Sequence, residues 1–172
     1  MKILDLGCGK NKFEGAIGID FCKDTKADIV HDVNVFPYPF EDDTFDKVIM
    51  NHIIEHLDNI VRVMEEVHRI SKPDAEVYIK KPHFSCRDSW RNPTHKHHLA
   101  IDSFDYFTDN PMLTTYYTKA RFKIVKKEIT FSNSLLSVIP RLLYKISKNK
   151  CEKHFAFMFP ANNLLFELRV SK

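Results

Sequence analysis

Residues 4–20 read LDLGCGKNKFEGAIGID: a short apolar strand, a turn with glycines at 7 and 9, and a second short strand ending on Asp20. Only nine residues, Gly7 to Gly15, separate the two strands. A parallel crossover ordinarily takes a dozen or more residues and a helix. A chain that keeps these strands adjacent and parallel must do without that helix, and any ligand at the turn must do without its N-terminus. A dinucleotide is poorly served by such a turn, because its G-x-G-x-x-G signature opens a helix aimed at the pyrophosphate. Here the third glycine position is Lys12. A ligand without phosphates needs neither the third glycine nor the helix.

KILDL at 2–6 and AIGID at 16–20 are followed by five more runs of strand character: DIVHD at 28–32, DKVIMN at 46–51, EVYIKK at 76–81, RFKIVKKEITF at 121–131 and NLLFELRV at 163–170. The early runs have the apolar texture of a parallel sheet covered by helices. Between the fourth and fifth runs, Ile60, Val63, Met64, Val67 and Ile70 repeat at helical spacing, with Asp58 or Asn59 to cap the start and Pro73 beyond the end. Strand, helix, strand in this order predicts the α/β class with a right-handed crossover. A short helix is expected around 103–108, and SLLSVIPRLLYKISKNK at 134–150 reads as a helix kinked at Pro140. With 172 residues, 44% of them hydrophobic, the chain fits one domain, residues 1–172, able to bury a core without disulfide or metal staples.

The net charge of +3 hides an asymmetry: residues 1–60 carry about −6 and the remainder about +9, so the second half is the place to meet an anionic partner. Cys8, Cys22, Cys86 and Cys151 form no C-x-x-C pair, and the chain enters a strand almost at Met1, which predicts a reduced, cytoplasmic protein. No apolar run reaches the roughly 20 residues of a membrane span.

Gly7 and Gly9 lie just past a strand, where small residues let a ligand approach the backbone N–H groups. Two glycines in a turn are common without a ligand, but a carboxylate at the end of the neighbouring strand, Asp20, is where a ribose diol is gripped in Rossmann-type folds. Three further segments accompany them: FPYPFEDDTFD at 36–46, NHIIEHL at 51–57 and HRISKP at 68–73. Together with DLGCG at 5–9 and GID at 18–20 they resemble the class I S-adenosylmethionine-dependent methyltransferases of methyltransferase type 11-like, small single-domain form. The resemblance covers about residues 2–82.

It implies a Rossmann-like, mostly parallel seven-stranded sheet with an antiparallel last strand, here with the helices between strands one and two and between two and three reduced or absent. It implies S-adenosyl-L-methionine as cofactor: Asp5, Gly7 and Gly9 in the turn around the methionine part, Asp20 at the ribose hydroxyls, Asp32 at the adenine amine with Val33 beside it, Asn51 and His52 near the methyl group, and Cys8 and Phe21 as further cofactor contacts. Residues 1–82 would form the cofactor half and 83–172 the half that binds the acceptor and completes the sheet. Two missing helices, and none ahead of the first strand, leave one sheet face without its usual cover. An apolar face in water is costly, so the 133–160 segment or a second subunit, in a homodimer, is expected to cover it.

Methyl transfer is a displacement, so the protein aligns the nucleophile and, where needed, removes its proton. His52, His56 and His83 lie near strand ends and are candidate bases; a structural histidine bonded to backbone is the competing reading of each. Arg87, Arg91, His95 and His98, with Trp90 beside them, form the densest group of cationic donors and suit a phosphate or carboxylate on a small-molecule acceptor; a solvated basic loop is the alternative. His83, Cys86, His95, His97 and His98 could also bind a metal, but their spacing matches no zinc pattern, and no metal is expected. Phe131, Leu135, Leu136, Leu142, Leu143 and Tyr144 could wall an apolar pocket or simply form a core helix. A nucleic-acid acceptor agrees with the basic second half, although Asn51-His52-Ile53-Ile54 is not the Asn/Asp-Pro-Pro-aromatic sequence of enzymes that methylate base amines. Loss of two helices also keeps open a non-catalytic cofactor-binding sensor or partner subunit.

Overall fold

The computed structural model describes residues 1–111, 113, 116–132 and 137–172. Seven strands, β1 (Ile3–Leu6), β2 (Ile17–Asp20), β3 (Ile29–Val30), β4 (Phe45–Asn51), β5 (Ser71–Pro82), β6 (Arg121–Thr130) and β7 (Asn163–Ser171), form one sheet. Their order is β3-β2-β1-β4-β5-β7-β6. β1 pairs in parallel with β2 and β4, and β4 with β5, while β7 runs antiparallel to both β5 and β6. The strand order reverses between β1 and β4, the switch point beyond whose carboxyl ends such sheets bind ligands.

No helix joins β1 to β2 or β2 to β3, as the nine-residue connection predicts. Instead the Gly7–Gly15 turn folds onto β2, and Asp28 stands in for part of a missing cap, accepting from the Gly18 N–H at 2.7 Å and pairing with Lys12 at 2.8 Å. The β3–β4 connection is held by Arg69, which donates to the carbonyls of Phe40 and Tyr38 and to Glu66 and Asp42.

The helix α1 (Ile60–Ile70) is capped by Asn59, whose side chain accepts from the Arg62 N–H at 3.1 Å. Its Val63, Met64, Val67 and Ile70 are buried against Val48, Met50, Val77 and Ile79 of the sheet. Each such side chain contributes about 1.5–3 kcal/mol. Phe104 and Phe107, in a 3-10 turn at Ser103–Phe107, and Leu164, Phe166, Leu168 and Val170 of β7 extend the same core.

The opposite sheet face corrects the expectation of an apolar surface in need of cover. Strands β4, β5 and β7 alternate, sending Lys47, Tyr78, Lys80, Glu76, Glu167 and Arg169 to the side that lacks helices. These side chains pair with one another, Lys47 with Glu76 at 3.1 Å and Arg169 with Glu76 at 2.8 Å. This face of β4, β5 and β7 is largely charged and polar, with Ile49 among these side chains.

The 134–150 run also differs from its expectation. Residues 133–136, with Leu135 and Leu136, lie outside the described residues. Thereafter α3 (Val138–Ile146) begins with Pro140 in its first turn, where no intrahelical N–H bond is lost. The break comes at Ser147, whose extended backbone ends α3 and whose hydroxyl caps α4 (Lys148–Phe155). These helices pack at the carboxyl end of the sheet. Lys148 donates to the Lys127 carbonyl, Asn149 to Asp102, and Glu152 accepts from the Ile101 N–H. Among the described residues no helix is long and apolar enough to cross a membrane.

Candidate active site

The glycine turn is fastened from below. Gly7, at φ +70°, donates to the Ile19 carbonyl at 2.8 Å, and an added Cβ would lie 2.4 Å from Ile53 Cγ1. Gly9, at φ +52°, donates to Asp20 Oδ2 at 2.9 Å, while Cys22 donates to Asp20 Oδ1 at 3.0 Å. Asp20 therefore joins the turn after β1 to the turn after β2. Nothing lies within 4 Å of where a Gly9 Cβ would stand, so the backbone there is open to a ligand.

Asp5 is 4% exposed, and its Oδ2 accepts from the Phe13 N–H at 2.7 Å. Burial pushes its carboxyl above the ordinary value, with the Phe13 N–H and Lys12 opposing. Cys8 turns its sulfur under Gly18, and burial, aided by Asp5 and Asp20, raises the thiol to about 11. A protonated, buried thiol is no nucleophile, so Cys8 can serve a ligand through its backbone only.

A cleft of about 600 Å³ brings Asp5, Gly7, Cys8 and Gly9 together with Asn51 and His52. Its far wall is the charged sheet face, through Lys47, Ile49, Tyr78 and Lys80. Asp20, Phe21, Asp32 and Val33 do not line it. Phe21 is exposed next to the turn, Asp32 caps its own loop by accepting from the Asn34 N–H at 2.9 Å, and Val33 is buried with its carbonyl bound by the Tyr38 hydroxyl at 3.0 Å.

His52 adopts φ +56°, its N–H donates to the Lys80 carbonyl at 2.8 Å, and its ring faces Glu55, with Nδ1 3.4 Å from Oε1. Glu55, in a 3-10 turn at Ile54–His56, is 1% exposed. Burial pushes its carboxyl up, but His52, its own backbone N–H and Lys81 together outweigh that and hold it below the usual value. Lys81 is fully buried on the same side of β5 as Val77 and Ile79 and donates to the His97 carbonyl at 2.9 Å. Burial lowers its ammonium to about 8, against the pull of Glu55.

Of the other candidate bases, His56 lies beside His95, ring centroids 4.6 Å apart, and burial keeps it below the ordinary imidazole value. His83 is fully buried, with Nε2 on Glu152 at 2.8 Å and Nδ1 receiving Ser85 at 2.8 Å. Both of its nitrogens are engaged away from the cleft.

The cationic group divides in two. Arg87 and Arg91 are exposed on α2 (Arg87–Arg91), the latter paired with Asp88 at 3.0 Å. Trp90 stacks on His98 at 3.6 Å between centroids and donates to the Phe84 carbonyl, and Ser89 bonds both His98 and, through its carbonyl, His95. Tyr144 packs edge-on against Phe131, and the two line a cavity of about 350 Å³ together with Ile129, Lys145 and Lys148, while Leu142 is exposed and Leu135 and Leu136 lie outside the described residues.

Residues 1–123 match the family model described as a methyltransferase domain. The chain belongs to that methyltransferase family. The fold agrees: a methyltransferase from Archaeoglobus fulgidus described as S-adenosylmethionine-dependent superposes with TM-score 0.63 at 19% identity, over 98% of this chain and 85% of that one. A putative methyltransferase from Bacillus halodurans gives 0.65 at 11% identity over 99% and 93%, and one from Mesorhizobium loti 0.62 at 14% over 98% and 90%. No curated protein matches the chain. Family and fold together imply S-adenosylmethionine as the cofactor of this methyltransferase.

Its donor set fits that group. Open backbone at Gly9, the buried carboxylates of Asp5 and Asp20 and the absence of a helix N-terminus at the turn suit a cationic, phosphate-free ligand. Two buried charges of this methyltransferase escaped the sequence reading. Glu55 follows His52 by three residues in NHIIEHL, a spacing that places an acid beside a histidine in a tight turn. Lys81 takes the third core position of the alternation Val77, Ile79, Lys81.

Proposed function

We propose that the chain transfers a methyl group from S-adenosylmethionine to a small acceptor bearing an anionic group. In this reading residues 1–82 hold the donor and 83–172 the acceptor. The backbone at Gly7 and Gly9 receives the methionine part, Asp20 and the exposed Phe21 ring the ribose, and Asp32 and Val33 the adenine. The bound sulfonium supplies an electrophilic methyl carbon. Everything else is alignment: Asn51 and His52 stand at the end of β4, and an acceptor oxygen or nitrogen approaching over them faces the donor in line.

The observation that carries this reading is that the cleft runs from the glycine turn to His52, whose ring is backed by the buried Glu55 carboxylate. A histidine so placed takes the acceptor's proton as the methyl bond forms, and Glu55 balances the imidazolium. Arg91 and His98, the latter stacked on Trp90, supply donors for the anionic group.

Calorimetric titration with S-adenosylmethionine, followed by assay of S-adenosylhomocysteine released on incubation with a metabolite extract, tests the proposal. Donor binding and extract-dependent turnover are expected, with His52→Ala lowering kcat by about 10²–10⁴ at unchanged donor affinity. Donor binding without turnover, or transfer to RNA instead of the extract, overturns it.

A further inference from the structure

Beside the cleft, Glu55, His56 and His95 each bring one ligating atom to within 4.8 Å of the other two. Both Glu55 oxygens are buried and neither receives a well-formed hydrogen bond, although His52 Nδ1 stands 3.4 Å from Oε1. An unbonded carboxylate removed from water is costly unless something cationic completes it. Lys81, the nearest buried ammonium, gives its hydrogen bond to the His97 carbonyl instead.

The two histidines are set up by their outer partners. His95 Nδ1 is 3.1 Å from the Ser89 carbonyl, which can only accept, so that nitrogen carries the proton. His56 Nδ1 is 2.8 Å from Thr94 Oγ1. The Thr94 hydroxyl gives its single proton to Asn92 Oδ1 at 2.9 Å, so it must accept from His56. Nε2 is thus left with a lone pair on both rings. A metal-ligating histidine ordinarily has its other nitrogen tied down in this way. The loop bearing His95 is itself docked on the turn bearing Glu55, since the Lys96 and His97 N–H groups both donate to the Glu55 carbonyl, at 2.7 and 3.3 Å.

We propose that Glu55, His56 and His95 form a binding site for a divalent first-row transition-metal ion, with two imidazole nitrogens, one carboxylate and at least one open position. Two neutral imidazoles and a carboxylate suit Zn²⁺ and its neighbours better than Mg²⁺ or Ca²⁺, which prefer oxygen. Zn–N bonds of about 2.0–2.1 Å put tetrahedral ligands about 3.4 Å apart. The three ligating atoms, within 4.8 Å of one another, would draw closer on binding to reach that spacing. Metal binding at these three residues does not rest on the proposed function.

The test uses the full chain, stripped with a chelator and titrated with Zn²⁺ and then with Co²⁺ in the absence of donor and acceptor. One equivalent of tight binding is expected, with a visible Co²⁺ ligand-field band. Glu55→Gln, His56→Ala and His95→Ala should each weaken it about 100-fold, Thr94→Val about 10-fold, and surface His154→Ala not at all. Circular dichroism and thermal melts establish that each variant folds; if Glu55→Gln does not, His95→Ala on its loop decides. Absence of a one-equivalent site, unchanged affinity in His56→Ala and His95→Ala, or equal loss in His154→Ala overturns the proposal.

Discussion

Ile53 occupies the space a side chain on Gly7 would need: its Cγ1, Cδ1 and Cβ lie 2.4, 2.5 and 2.8 Å from the ideal Cβ position. The glycine turn after β1 and the turn after β4 are thereby locked across the switch point. Gly7→Ala combines that overlap with a left-handed φ, and is expected to cost roughly 2–5 kcal/mol. Gly15→Ala, at φ +76° in open space, should cost about 1 kcal/mol from backbone strain alone. Urea midpoints of the two variants measure the difference, and Ile53→Ala added to Gly7→Ala should recover part of it.

Asp20 and Phe21 separate anchoring from contact. Asp20→Ala removes the acceptor of two N–H groups, and should both lower stability by about 1–3 kcal/mol and weaken S-adenosylmethionine binding at least tenfold. Phe21 is 70% exposed, so Phe21→Ala should leave the urea midpoint within about 0.5 kcal/mol while weakening the donor several-fold in calorimetry.

Lys81 predicts a rise of stability with pH. Its ammonium titrates near 8 in the folded protein against an ordinary value of 10.5. Between those values the unfolded chain binds more protons, so unfolding free energy increases as pH rises through this window. Lys81→Met should be more stable than the parent at pH 7 by on the order of 2–3 kcal/mol, with the gap closing by pH 10.5. Denaturation series at both pH values check the sign; a parent that loses stability relative to Lys81→Met above pH 8 contradicts it.

His83 and Glu152 tie α4 to the end of β5. Glu152→Ala strands His83 and the Ile101 N–H, at an expected cost of about 2–4 kcal/mol. His83→Ala should be strongly non-additive with it, with a coupling of about 1–3 kcal/mol in a double-mutant cycle read by urea unfolding.

Much of the sheet was legible because its strands are short apolar runs closed by turn residues, and α1 because four core residues and Asn59 mark its face and start. β5 is longer than the apolar run EVYIKK suggests, since Ser71 pairs with Phe45 across an irregularity before the regular register begins at Lys47 and Glu76. Tertiary pairing there overrides Pro73. The charged sheet face was misjudged because Lys80, Tyr78 and Lys47 were read with their apolar neighbours instead of as the other half of an alternation. Around the site, the backbone turn was legible from Gly7 and Gly9 just past a strand, while the roles of its residues rest on the family resemblance. The Glu55 and Lys81 charges were not, because single acids and lysines carry no pattern until the fold removes them from water.

The cleft's outer wall, made by Lys47, Tyr78 and Lys80 of the sheet face, has a kinetic meaning. A donor that reaches the glycine turn from the flank of the sheet does not have to pass the loops proposed to receive the acceptor. Either molecule can then arrive or depart while the other stays bound, which makes random-order addition the expected kinetic scheme for this enzyme.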